Sequence, residues 1–146
     1  MIAVDSNVIL RYVLQDHPAQ AAKSIRLMRG AAPVLVTDVV LVETTWTLNG
    51  PKYRVGKDDL LRVIEGLFRE PNVRFEDAAV VWRALQDYRL AEPVKVGGKK
   101  KHPDFADALI VNKARSIARQ VHDGPDDPWV YTSDVAAQVI EGTKAP

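Results

Sequence analysis

The feature that most constrains this chain is a rhythm in which short apolar runs are each followed by a stretch of helical period. Ile2 to Val4 is apolar and stops at Asp5, and from Ser6 to Gln15 the apolar Val8, Ile9, Tyr12 and Val13 fall on one side of a helix. A second helix is expected from about Ala19 to Met28, with Gly30 as its stop. Pro33 to Val36 reads as a second buried strand, and Thr37 or Asp38 can cap a third helix that runs through Leu48 to the breaker Asn49-Gly50-Pro51. Lys57 to Phe68 and Asp77 to Leu90 are amphipathic helices on either side of a short strand at Val73 to Phe75. Asp104 to Arg119 is a further helix, Asp123 to Pro128 a turn, and Trp129 to Thr132 a last strand. Short strands alternating with helices predict an α/β fold, a three-layer-like sandwich with a short, mainly parallel sheet flanked by helices.

A chain of 146 residues has room for one core, so a single domain over residues 1–146 is expected. Only residues 92–103, EPVKVGGKKKHP, lack an apolar period; with two glycines and four lysines they read as a basic mobile loop within that domain. Twenty Lys and Arg against 19 Asp and Glu leave a net charge of +1, so bulk charge decides nothing about a polyanionic partner. The absence of cysteine excludes disulfides, a thiolate nucleophile and Cys-ligated zinc, leaving oxygen or His ligands for any metal. The start MIAVDSN has no basic leader, and the longest apolar stretch, Val34 to Val42, is interrupted and too short to span a bilayer. A cytoplasmic protein without a membrane partner is expected.

In a parallel α/β sheet, functional residues gather beyond the carboxyl ends of the strands. Asp5 follows the first strand and Asp134 the last, which places both at one sheet edge if the strands are parallel, although either could simply cap a helix. Glu43 shares a helical face with Val39, Val40 and Trp46, and Asp107 shares one with Ile110, Val111 and Ala114, so both acids are expected in core-facing stripes. Asp104 lies one turn before Asp107. Buried ion pairs would account for such acids without any chemistry. Converging carboxylates without a cation repel one another, however, and a divalent ion relieves them. An all-oxygen set selects Mg²⁺, or Mn²⁺ as a substitute, and such ions activate water against phosphodiesters.

The segments IAVDSNVILRYVL, VLVETTWTL, PDFADALIVNKA and YTSD, in this order, resemble the PIN-domain nucleases and in particular the VapC-type toxins of type II toxin–antitoxin systems. The resemblance implies a PIN-like fold and a metal-dependent endoribonuclease. Asp5, Glu43 and Asp107 would form the core metal site, with Asp104 and Asp134 as further acids, either of which could orient the water. Asn7 and Thr132 would be polar supports. Ser133-Asp134-Val135 departs from the pattern by lacking the second acid often found there. The resemblance further implies an RNA substrate, a homodimer, and a small VapB-like antitoxin whose C-terminal segment covers the active site. Two rival readings are a catalytically idle PIN-like module that binds RNA or protein, and a phosphodiesterase acting on DNA or nucleotides.

Lys99, Lys100 and Lys101 precede the acidic helix and could guide RNA by its phosphates, or be a solvated loop. Arg115 and Arg119 read as surface charge, and His17, His102 and His122 as surface histidines without ligand spacing. Trp46, Trp82 and Trp129 are expected in the core rather than as base-stacking platforms. Serine-hydrolase, phosphate-loop and dinucleotide fingerprints are absent from the sequence.

Overall fold

The computed structural model describes residues 1–124 and 127–146. These fall into two compact units, Met1–Ala78 and Ala79–Pro146.

The first unit runs β1 (Ile2–Ala3), α1 (Ser6–Leu14), α2 (Pro18–Met28), β2 (Val34–Val36), α3 (Asp38–Asn49), α4 (Lys57–Arg69) and β3 (Val73–Phe75). Its three strands form one sheet in the order β1-β2-β3, with both pairings parallel. Val34 in β2 is in register with Ile2 on one side and Val73 on the other, and Val34 and Val36 are fully buried. Such short strands hold because Ile9, Met28, Leu41, Leu48, Leu60, Ile64 and Leu67 are fully buried with them, each contributing about 1.5–3 kcal/mol by leaving water.

Helix starts follow the sequence closely. The Asp5 carboxylate accepts the Val8 N–H at 3.0 Å and the Thr37 hydroxyl accepts the Val40 N–H at 3.4 Å, each satisfying a donor that its helix leaves open. Pro18 occupies the first turn of α2, where a missing N–H costs nothing. Gln15, at a φ of 52°, closes α1 by donating its N–H to the Arg11 carbonyl.

The buried face of α3 is Leu41, Thr44, Thr45 and Leu48. Val39 and Trp46 are 75% and 55% exposed, so the stripe expected to carry Glu43 into the core faces water instead. Val39 to Val42 are four consecutive apolar residues and cover every side of the helix; periodicity alone therefore could not choose the face.

The second unit comprises α5 (Ala78–Leu90), β4 (Val94–Val96), β5 (Lys99–Lys101), α6 (Phe105–Val121), β6 (Val130–Tyr131), a 3₁₀ turn (Ala137–Val139) and β7 (Thr143–Lys144), its first helix opening one residue before the boundary. Helix α5 buries Val80, Val81, Ala84, Leu85 and Tyr88, and α6 buries Phe105, Ala106, Ala108, Leu109, Val111 and Asn112. The Tyr88 and Phe105 rings meet edge-on at 6.0 Å, and the Asn112 amide donates to Asp87 at 2.7 Å.

Three expectations are corrected here. Within residues 92–103, β4 and β5 form an antiparallel hairpin where a loop was expected. Gly97 and Gly98 connect them at φ of 56° and 79°, the double left-handed turn that matches the twist of a two-residue hairpin. The last strand pairs in parallel with β7 in a two-stranded sheet of its own, where a strand of the main parallel sheet is expected from sequence. Trp82 and Trp129 are 48% and 52% exposed rather than core; Lys144 Nζ sits 3.8 Å from the centre of the Trp129 ring, a cation–π contact.

Of the expected turn at residues 123–128, Pro125 and Asp126 lie outside the described residues. Asp127 accepts from Arg115 at 3.0 Å and Arg119 at 2.8 Å, so these arginines are ion-paired. The α/β class with a short, mainly parallel sheet and six helices is what the described residues adopt. Among them, no helix is long and apolar enough to cross a membrane.

Candidate metal centre

Because β1, β2 and β3 are parallel, the residues that follow them stand at one edge of the sheet. Asp5 follows β1, Asp38 opens α3 after Thr37, and Glu76 follows β3. The Asp38 N–H donates to Glu76 Oε2 at 3.2 Å, and both Asp38 carboxylate oxygens are buried. Neither Asp38 nor Glu76 is singled out from sequence as a site acid, although each follows a strand just as Asp5 does. Asp5 and Asn7 are exposed. Glu43 is exposed too and has no ion-pair partner among the described residues, which removes the buried-ion-pair account of it.

In the second unit, Asp104 and Asp107 are bonded to each other's backbone at the start of α6. The Asp107 N–H donates to Asp104 Oδ1 and the Asp104 N–H donates to Asp107 Oδ2, both at 2.8 Å. This capping box arises because an acid at the cap and another three residues on can each reach the other's open N–H. Asp107 is half-buried, between buried Ala106 and Ala108. Of its expected stripe only Val111 is buried; Ile110 is 51% exposed and Ala114 is exposed.

Burial raises the Asp107 carboxyl from 3.8 to about 6; the negative charges of Asp104 and Asp134 push the same way, against the opposing Asp104 N–H bond. Asp134 is held below its ordinary value, first by the Ala136 N–H at 2.8 Å and then by Lys101. The Thr132 hydroxyl accepts the Asp134 N–H at 3.1 Å, placing the expected polar support against the expected acid.

The three hairpin lysines are exposed but not equivalent. Lys101 pairs with Asp134, which corrects the assumption that the acids have no cation beside them. Lys100 is directly opposite Lys95 across the hairpin, a like-charge pair that an anion would relieve.

Among the described residues, no three His, Asp or Glu side chains form a group arranged to hold a metal ion. The acids present are carboxylates alone, the donor type that suits a hard divalent cation, and Asp107 is destabilised as an anion first by burial and then by neighbours of its own sign. That chemistry fits such an ion.

The model of the PIN domain family matches residues 2–121, and the chain belongs to that family. PIN domains are generally metal-dependent nucleases, which gives this chain a nuclease-type function. No curated protein matches it.

Proposed function

We propose that this protein is a metal-dependent endoribonuclease and the toxin of a VapBC-like pair, working in the cytoplasm as a homodimer and restrained by a small VapB-like antitoxin. The observation that carries the nuclease reading is the Asp104–Asp107 pair at the start of α6, where burial and acidic neighbours hold the Asp107 carboxyl near 6. A carboxylate kept costly in its charged form is one that a bound cation would relieve.

Asp5, Glu43 and Asp107 are the proposed ligands of Mg²⁺ or Mn²⁺, with Asp104 and Asp134 as further acids. The ion would supply the positive charge that makes a water nucleophilic near neutral pH and stabilises charge on the phosphate. Asp104, which accepts the Asp107 N–H, or Asp134 would orient that water and accept its proton. Asn7 and Thr132 support the acids, Thr132 through its bond to Asp134. Lys99 and Lys100, with Lys95, supply positive charge to the RNA backbone, and Lys101 contributes from its place on Asp134.

The test is cleavage of a mixed RNA pool with Mg²⁺ or Mn²⁺, with EDTA, and by Asp5→Asn or Asp107→Asn. Cleavage lost in all three controls is the expected result; cleavage that survives them refutes the mechanism. One observation favours a second reading, a catalytically idle RNA- or protein-binding module: the lack of a three-acid group among the described residues. Metal-independent RNA binding without any cleavage would support it.

A further inference from the structure

Between α1 and α2, wholly within the first unit, lies a groove of about 430 Å³. That volume falls in the range of roughly 300–1,000 Å³ typical of small-ligand sites. Asp5 forms part of its wall, together with Asn7 and Val8 from α1 and Gln20, Lys23 and Leu27 from α2.

Three of the groove's polar side chains are uncommitted. Among the described residues, neither the Lys23 ammonium nor the amides of Asn7 and Gln20 has a protein partner, and all three residues are exposed. Arg11, on the same wall, is already bonded to Asp16 at 2.7 Å. One free cation, two free amides and an apolar surface from Val8 and the 43%-exposed Leu27 therefore converge beside an acid proposed to bind metal.

We propose that this groove is a nucleotide subsite that takes one unpaired ribonucleotide adjoining the phosphate to be cut. Lys23 meets a backbone phosphate of that nucleotide. The Asn7 and Gln20 amides each offer donors and an acceptor to a base edge or a 2′-hydroxyl, and the apolar side chains receive the flat face of the base. An unpaired nucleotide is required because only an unstacked base presents its edge and face together. The subsite rests on the nuclease reading and adds to it the residues that choose the sequence flanking the cut.

Two variants, Lys23→Gln and Gln20→Ala, test this with random-sequence single-stranded RNA decamers. Lys23→Gln should raise KM about fivefold, the size of one exposed charge-assisted contact, and leave kcat unchanged. In EDTA, fluorescence anisotropy should show the same loss of affinity, and the slope of log affinity against log salt should fall by about 0.7, one phosphate contact on a single strand. Gln20→Ala should change the base preference beside the cleavage site. Affinity and salt slope equal to wild type in Lys23→Gln would overturn the subsite and leave the groove to a partner other than RNA. If the wild type cuts no RNA, the nuclease reading fails by itself, and anisotropy in EDTA still decides whether Lys23 holds a phosphate.

Discussion

The Lys101 ammonium lies 3.1 Å from each carboxylate oxygen of Asp134. The β4–β5 hairpin delivers this lysine, since the paired left-handed glycines turn β5 back along β4. Both partners are well exposed, so the pair is screened and worth little. In urea titrations, Lys101→Met and Asp134→Asn should each change stability by less than about 1 kcal/mol, with a coupling of about 0.5 kcal/mol or less in the double variant. Because the Asp134 carboxyl is lowered, this coupling should be present above the ordinary aspartate range and vanish as pH falls below it.

Asp5 serves both as a helix cap and as a proposed metal ligand, and the two roles separate by substitution. Asp5→Asn keeps an oxygen for the Val8 N–H and should leave stability within a few tenths of a kcal/mol, roughly. Asp5→Ala removes it and should cost about 1 kcal/mol. Both should lose RNA cleavage; equal melting temperatures would show that the cap contributes nothing.

The raised Asp107 carboxyl gives a pH dependence of definite sign. The folded chain holds this proton more tightly than the unfolded one, so stability falls as pH rises from 3.8 to about 6, and the penalty persists above that window. Asp107→Asn removes the charge but keeps an acceptor for the Asp104 N–H. At neutral pH in EDTA it should melt about 2–5 °C above wild type, a figure kept small because the group is only half-buried. The gain should disappear in acid. A variant that melts below wild type at neutral pH would contradict the assignment.

The Tyr12 hydroxyl donates to Glu70, while Arg29 lies 3.5 Å from the same carboxylate and 5.8 Å from the Tyr12 ring centre. Glu70 is only 16% exposed, so losing a donor leaves it poorly compensated. Tyr12→Phe should lower stability by about 1–2 kcal/mol, seen as a lower urea midpoint with an unchanged slope.

The sequence announced the fold where two signals coincided, an apolar run and a capping residue directly after it: Asp5 and Thr37 both start helices as expected. It misled where only one signal was present. On α3, the unbroken run Val39 to Val42 hid which side was buried, and it took the small Thr44 and Thr45 beside Leu41 and Leu48 to define the packed face. The Gly97-Gly98 pair is a hairpin signal, but an all-lysine β5 has neither alternation nor strand propensity to accompany it. Asp38 and Glu76 needed the parallel register, because nothing local distinguishes an acid after a strand from an ordinary cap. The motif acids were readable as a set from resemblance, whereas the pairing of Asp134 with Lys101 emerged only from tertiary structure.

The reciprocal bonds between Asp104 and Asp107 have a consequence for ligand capture. Each side chain is clamped by the other's backbone, so the torsional freedom that an exposed aspartate would surrender on meeting a ligand is already gone when α6 forms. Two carboxylates locked in this way are preorganised. What approaches Asp107 meets a rotamer settled during folding, and capture there is governed by charge and desolvation rather than by the wait for a side chain to turn.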